Sequence, residues 1–222
     1  MFMGGEKPQA VDRRFAGFRS RFAPGLPGAA LPSVGGVWKR AFDVAGSAGA
    51  LVFLSPLLLV LAVLVRATSP GPSLFWSQRI GRGAEVFAMP KFRTMRIDAP
   101  VQARESIENA DVLLTPIGAF LRSSSLDELP QLYCVLVGQM SLVGPRPLLV
   151  NDPAAHARLT RPAALVPRPG VTGLAQVRGR NRLSAQRKVR YDALYGARWS
   201  WRLDARILAD TVKYVVLRKD VL

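Results

Sequence analysis

Ser125-Leu126-Asp127-Glu128-Leu129-Pro130-Gln131-Leu132, followed twelve residues on by Gly144-Pro145-Arg146-Pro147, is the stretch from which the chain is best read. Two adjacent carboxylates open an apolar segment (Leu129, Leu132, Tyr133, Val135, Leu136 and Val137), so Asp127 and Glu128 stand at the edge of a core. Pro130 has no N–H to donate and is tolerated only in a helix's first turn, which predicts a helix beginning near Asp127. Two readings of the acids follow. In one they are caps: Asp127 suits an N-cap, and Ser125-x-x-Glu128 matches a capping box. In the other they carry chemistry. Local pattern alone favours the caps, and the rest of the chain favours the chemistry.

Lys and Arg outnumber Asp and Glu by 31 to 15 over 222 residues, for a net charge of +16. From Asn151 onward there are fifteen Lys/Arg against five Asp, so +10 of that charge lies in the last third. Such a surplus calls for a polyanionic partner: nucleic acid, an anionic membrane surface or phosphorylated substrates. No repeat, zinc finger or RNA-binding aromatic motif is visible, and the aromatics do not alternate with cations as in single-strand binders, which argues against nucleic acid. The single cysteine, Cys134, excludes an internal disulfide framework. The single histidine, His156, offers little to a His-rich metal site. Chemistry then falls to carboxylates, Arg, Lys and a hard metal ion.

Three segments are expected. Residues 1–36, rich in Gly, Pro and Ala, read as a flexible basic tail without a secretory signal. Residues 37–67 contain a 22-residue uncharged run, Val44 to Val65, preceded by Lys39 and Arg40 and followed by Arg66. As a straight helix this run reaches about 33 Å, enough to span a bilayer. Pro56 would remove a hydrogen bond at mid-run, and cations flank both ends although Lys and Arg collect on one membrane face. A re-entrant segment broken at Ser55-Pro56 satisfies both features. A kinked ordinary span is the alternative, and Asp43 would lie at the membrane interface.

Residues 68–222 read as a small mixed α/β domain on the membrane surface. A turn at Thr68-Ser-Pro-Gly-Pro72 leads to strands at Ser73–Gly81 and Glu85–Met89. Beyond the second strand, Lys91 and Arg93 share one face. Asp98 to Asp111 is a polar, exposed helix or loop. A short helix over Thr115–Arg122 places Arg122 to neutralise Asp127 or to grip the same anion. The prolines fix the backbone around Arg146, and Arg168-Pro169-Gly170-Val171-Thr172-Gly173 makes a second turn whose glycines suit close approach to a ligand. Leu183–Leu194 reads as a basic amphipathic helix capped by Ser184. On a last helix Trp201, Leu208, Val212 and Val215 share a stripe, which either packs on the core or meets a headgroup boundary beside Trp199.

Taken in order, Lys39-Arg40-x-x-Asp43, Ser55-Pro56, Lys91-Phe92-Arg93-Thr94-Met95, Leu121-Arg122-x-x-Ser125-x-Asp127-Glu128-Leu129-Pro130-Gln131, Met140-Ser-Leu-Val-Gly-Pro-Arg-Pro147 and Arg168-Pro-Gly-Val-Thr-Gly-Leu-Ala-Gln-Val177 closely resemble the bacterial sugar transferases, the monotopic polyprenyl-phosphate phosphoglycosyl transferases. The resemblance runs from about Val37 to Leu222. It implies transfer of a sugar 1-phosphate from a UDP-sugar to undecaprenyl (polyprenyl) phosphate with Mg²⁺ and release of UMP, on the cytoplasmic face of a bacterial inner membrane. It implies Asp127 as the nucleophile that forms an aspartyl phosphosugar, and Glu128 as a partner acid near the metal, with Asp127 also a metal contact. Arg122 and Arg146 match cations around the phosphates. Lys91, Arg93, Arg168, Thr172 and Gln176 match further substrate-binding positions. Expected partners are the two substrates and anionic lipid, with a second copy of the chain and downstream glycosyltransferases as further candidates.

The chain departs from the pattern at Cys134, where Asn is frequent, at Gln139, where Asp is frequent, and at Gly196-Ala197-Arg198, where a more acidic stretch is expected. These leave the sugar open. The rival reading is a membrane-tethered basic scaffold holding anionic lipid or nucleic acid, with Asp127 and Glu128 as caps only.

Overall fold

The first described element, α1 (Gly36–Thr68), is one continuous helix of 33 residues. The computed structural model describes residues 34–99, 110–149, 152–179 and 182–216. The expected tail up to residue 33 and residues 100–109 of the polar segment lie outside them. Helical structure runs through Ser55-Pro56, where an interruption was expected. Pro56 cannot donate to the Val52 carbonyl, and Ser55 Oγ donates to it instead at 2.7 Å. The serine thereby satisfies the group that the proline orphans.

α1 is long and apolar enough to cross a membrane, yet it touches the rest of the protein at both ends. Lys39, Asp43, Ser47, Leu61 and Val65 are buried, and Leu51, Leu54 and Leu58 are half-buried. Their three- and four-residue spacing makes a single stripe. Val52, Phe53, Leu59, Val60 and Val63 are exposed.

The motif Lys39-Arg40-x-x-Asp43 locks the near end of α1. Lys39 Nζ donates to Asp204 at 2.7 Å. Arg40 donates to the carbonyls of Val135 and Leu136. Asp43 is buried rather than interfacial, and accepts from Ser141 Oγ and the Leu142 N–H, each at 3.0 Å. At the far end, Leu61 and Val65 pack with Phe92 and Leu121.

β1 (Leu74–Ile80) and β2 (Val86–Phe92) form the expected antiparallel hairpin, with Leu74 opposite Phe92 and Ile80 opposite Val86. β2 runs further than expected, through Pro90. It is an edge strand, where a missing N–H is harmless. The short helix α2 (Gly118–Ser123) and the 3-10 helix Leu126–Gln131 lead into α3 (Leu132–Leu136). β3 (Ser141–Val143) pairs in parallel with β5 (Gly170–Thr172), and β4 (Leu148–Leu149) joins the free edge of β1.

α4 (Pro153–Leu159), α5 (Leu174–Val177), α6 (Ala185–Ala197) and α7 (Trp201–Val216) complete the domain. Ser184 caps α6 as expected, accepting from the Arg187 N–H. The buried face of α7 carries Asp204 and Ile207, and Ile207 forms one core with Val143, Leu174, Val177 and Tyr195. Of the predicted apolar stripe, Leu208 packs against that core, while Trp201 and Val212 are exposed.

Candidate active site

The acids are presented by the 3-10 helix Leu126–Gln131. Ser125 enters it in the left-handed conformation, φ 57°, and its side chain makes no cap bond. The capping box is therefore not formed. Glu128 turns instead to the strands: Lys91 Nζ donates to its Oε1 at 2.6 Å and Arg146 Nη2 at 3.2 Å. Asp127 lies inside the 3-10 helix, so it is not an N-cap, and it is only 9% exposed.

Lys91 comes from β2 opposite Phe75, and Arg79 from β1 opposite Phe87, so both side chains leave the same face of the hairpin. Arg146 comes from the β3–β4 turn, and the backbone shows how it is aimed. The Gly144 N–H donates to the Thr172 carbonyl at 2.9 Å, and the Gly170 N–H to the Pro145 carbonyl at 2.8 Å. A Cβ on Gly144 would sit 2.2 Å from the Arg168 carbonyl oxygen, and one on Gly173 would sit 2.0 Å from that of Gly144. The glycines expected to admit a ligand admit the other turn, and the two turns hold each other.

Burial raises the Asp127 carboxyl to about 6. Lys91 and Arg122 only partly oppose that effect, and Glu128 adds to it. Arg122, expected to neutralise Asp127, does lower it, but by less than burial raises it. Burial also acts to raise Glu128, but Arg146 and Lys91 overcome it and hold that carboxyl well below the usual range. Lys91 is pushed down by burial while Glu128 pulls it back, and Arg79 is lowered by burial to about 10. Adjacent acids thus occupy opposite environments. One is an anion fixed by two cations, and the other is buried without an ion pair among the described residues.

The remaining expected residues are placed elsewhere. Arg93 is buried and donates to the backbone carbonyls of Ser69, Pro70 and Pro72, closing the turn after α1 rather than sharing a face with Lys91. Arg168 donates to the Gly138 carbonyl at 2.9 Å, beyond the end of α3. Thr172 bonds Thr211, and Gln176 donates to the Val171 carbonyl. Arg122 donates to Thr94 Oγ1 at 2.8 Å and acts on Asp127 through its charge. Cys134 is fully buried and Gln139 is exposed.

The family model described as bacterial sugar transferase matches residues 34–218. The chain belongs to this family. Among its relatives, the UDP-glucose:undecaprenyl-phosphate glucose-1-phosphate transferase of Klebsiella pneumoniae is 39% identical over 193 residues, 82% of this chain and 41% of that protein. The chain thus spans about two fifths of that relative's length. The exopolysaccharide production protein ExoY of Rhizobium meliloti is 37% identical over 217 residues, 89% of this chain and 93% of that one. The UDP-glucose:undecaprenyl-phosphate glucose-1-phosphate transferase of Caulobacter vibrioides is 42% identical over 197 residues, covering 84% and 73%.

One residue of the candidate site escaped the sequence reading. Arg79 sits in a stretch read as a strand, and its alternation with Ser77, to which it donates at 2.9 Å, was the available signal. For Mg²⁺, the described residues contain no cluster of three or more metal-ligating side chains. The adjacent Asp127 and Glu128 fit an ion that takes one or two carboxylates and completes its shell with substrate phosphates and water.

Proposed function

We propose that the chain moves a sugar 1-phosphate from a UDP-sugar to undecaprenyl phosphate, releasing UMP, as an initiating step of exopolysaccharide, O-antigen, capsule or glycoconjugate synthesis. The single observation that carries this reading is the split between the two acids: Asp127 has no ion pair among the described residues and its pKa is raised to about 6, beside Glu128 locked as an anion by Lys91 and Arg146. Neighbouring carboxyls in opposed environments take separate roles. The names of the Klebsiella and Caulobacter relatives support the substrate class.

In the covalent route an Asp127 oxygen attacks the β-phosphorus of the UDP-sugar. The bond from that phosphorus to the bridging oxygen breaks, and its electron pair leaves with UMP. An oxygen of undecaprenyl phosphate then attacks the same phosphorus, and the Asp127 carboxylate departs. At pH 7 Asp127 is mostly ionised, and its burial leaves it poorly hydrated, which suits a nucleophile. Arg79, Lys91, Arg122 and Arg146 would neutralise the diphosphate, and Glu128 keeps Lys91 and Arg146 in place. Bound Mg²⁺, held by Asp127 and Glu128, would supply further charge neutralisation on the phosphates.

α1 would enter and leave the bilayer on the cytoplasmic face. Its two ends rest on one domain and cations flank its apolar run, which supports this placement over an ordinary span.

Purified protein with Mg²⁺, undecaprenyl phosphate and a panel of UDP-sugars tests the reading. UMP and a lipid-linked diphosphosugar are expected with at least one sugar, and Asp127→Asn should abolish both. The absence of turnover with every sugar would instead support the scaffold.

A further inference from the structure

Between α5, α6 and α7 lies a cleft of about 390 Å³ that shares no residue with the Asp127 site. Arg178, Arg198, Arg202 and Arg206 line it, with Leu194 and Leu203 among its apolar walls, and no acidic residue lines it. All four arginines are exposed, and none has an ion-pair partner among the described residues. Four guanidiniums around one cavity repel one another unless an anion joins them, and their planar forks match phosphate oxygens.

The position of the cleft points to the source of that anion. Ser200 in its wall is flanked by Trp199 and Trp201, whose rings meet edge to face at 5.5 Å. Trp201 also packs edge to face on Phe42 of α1 at 5.7 Å. Trp38, Phe42 and Trp201 are exposed around the start of the apolar helix. Such a cluster of aromatics marks the headgroup level of a bilayer. A bilayer that takes up this apolar helix would place its lipid phosphates beside the cleft.

We propose that this cleft binds the phosphate of an anionic phospholipid headgroup, at a site separate from the one used by the transferred sugar phosphate. The site goes beyond the transferase reading and does not depend on it.

The test is calorimetric titration of the full chain in neutral detergent with short-chain phosphatidylglycerol, short-chain phosphatidylcholine and inorganic phosphate, without sugar nucleotide. Saturable binding of phosphatidylglycerol is expected, with much weaker binding of the other two. Arg198→Gln/Arg202→Gln and, from the cleft's other residues, Arg178→Gln/Arg206→Gln should each weaken it more than about tenfold. Arg187→Gln/Arg190→Gln removes equal charge from exposed positions of α6 outside the cleft and should leave binding unchanged. Equal loss in all three variants would mean diffuse surface charge. Inorganic phosphate binding as tightly as the lipid would mean a free-anion site. Either result, or no saturable binding, overturns the proposal. Because no turnover is read, failure of the transferase reading would leave this result unaffected.

Discussion

Lys91 Nζ lies 2.6 Å from Glu128 Oε1, and this bond joins the edge strand of the hairpin to the 3-10 helix that carries Asp127. The pair is largely withdrawn from water, with 15% and 21% of the two side chains exposed. Cutting one partner leaves the other as a poorly solvated charge. Glu128→Gln should therefore lower stability by roughly 1–3 kcal/mol. It should also loosen Arg146, so turnover should fall by more than the stability loss explains. Thermal unfolding compared with turnover, both below the variant's melting point, separates the two effects.

Asp127 should limit activity at acid pH. Its carboxyl is raised from near 4 to about 6 in the folded chain, and in the proposed covalent route only the ionised form would attack phosphorus. The rate should therefore drop as pH falls through about 6. The stability effect has the opposite sign: a carboxyl with a raised pKa costs stability above that pKa and costs none once both states are protonated. Asp127→Asn should therefore be inactive yet more stable at pH 7–8, by roughly 2–3 kcal/mol at most, with the gain vanishing below about pH 4. A pH–rate profile and melting curves across pH check both halves. Full turnover in the Asn variant would remove Asp127 from the nucleophile's role.

The Lys39–Asp204 contact ties α1 to α7 with side chains only 6% and 3% exposed. Asp204 also accepts from the Tyr195 hydroxyl at 2.8 Å and the Trp199 indole N–H at 3.0 Å. Asp204→Asn should cost about 3–5 kcal/mol by leaving Lys39 buried and unpaired. Lys39→Met removes the cation and should cost less than Asp204→Asn, since the carboxylate keeps two neutral donors. Chemical denaturation in detergent ranks the two.

Cysteines at Val37 and Ala67, exposed positions near the two ends of α1, should label from the same side of a sealed vesicle. The native Cys134 is fully buried and its thiol is pushed up to about 11, so background reaction should be low. Labelling from opposite sides would sink the re-entrant placement.

What the sequence made legible was local. The hairpin, the Ser184 cap and the short helix before Asp127 each rest on neighbouring residues, and the structure has all three. The misreadings concern partners far along the chain. Arg93 was paired with Lys91 by strand alternation, but β2 ends at Phe92, and carbonyls more than twenty residues back claim the guanidinium. Ser125-x-x-Glu128 has capping spacing, but a lysine 37 positions away forms the bond instead. Pro56 was expected to break α1, and the preceding serine satisfies the carbonyl it frees. The Asp127 pKa was out of reach because burial, its largest cause, is a property of the assembled fold.

The central claim is that Asp127 becomes covalently attached to the phosphosugar. Incubating the protein with Mg²⁺ and a UDP-sugar it turns over, without undecaprenyl phosphate, and then sequencing acid-quenched peptides by mass spectrometry reads this directly. The account predicts the mass of that sugar's phosphate on Asp127, UMP released up to one equivalent, and discharge of the adduct when lipid is added. An unmodified Asp127 peptide, with UMP formed only once lipid is present, would contradict it and assign Asp127 a role in a single direct transfer.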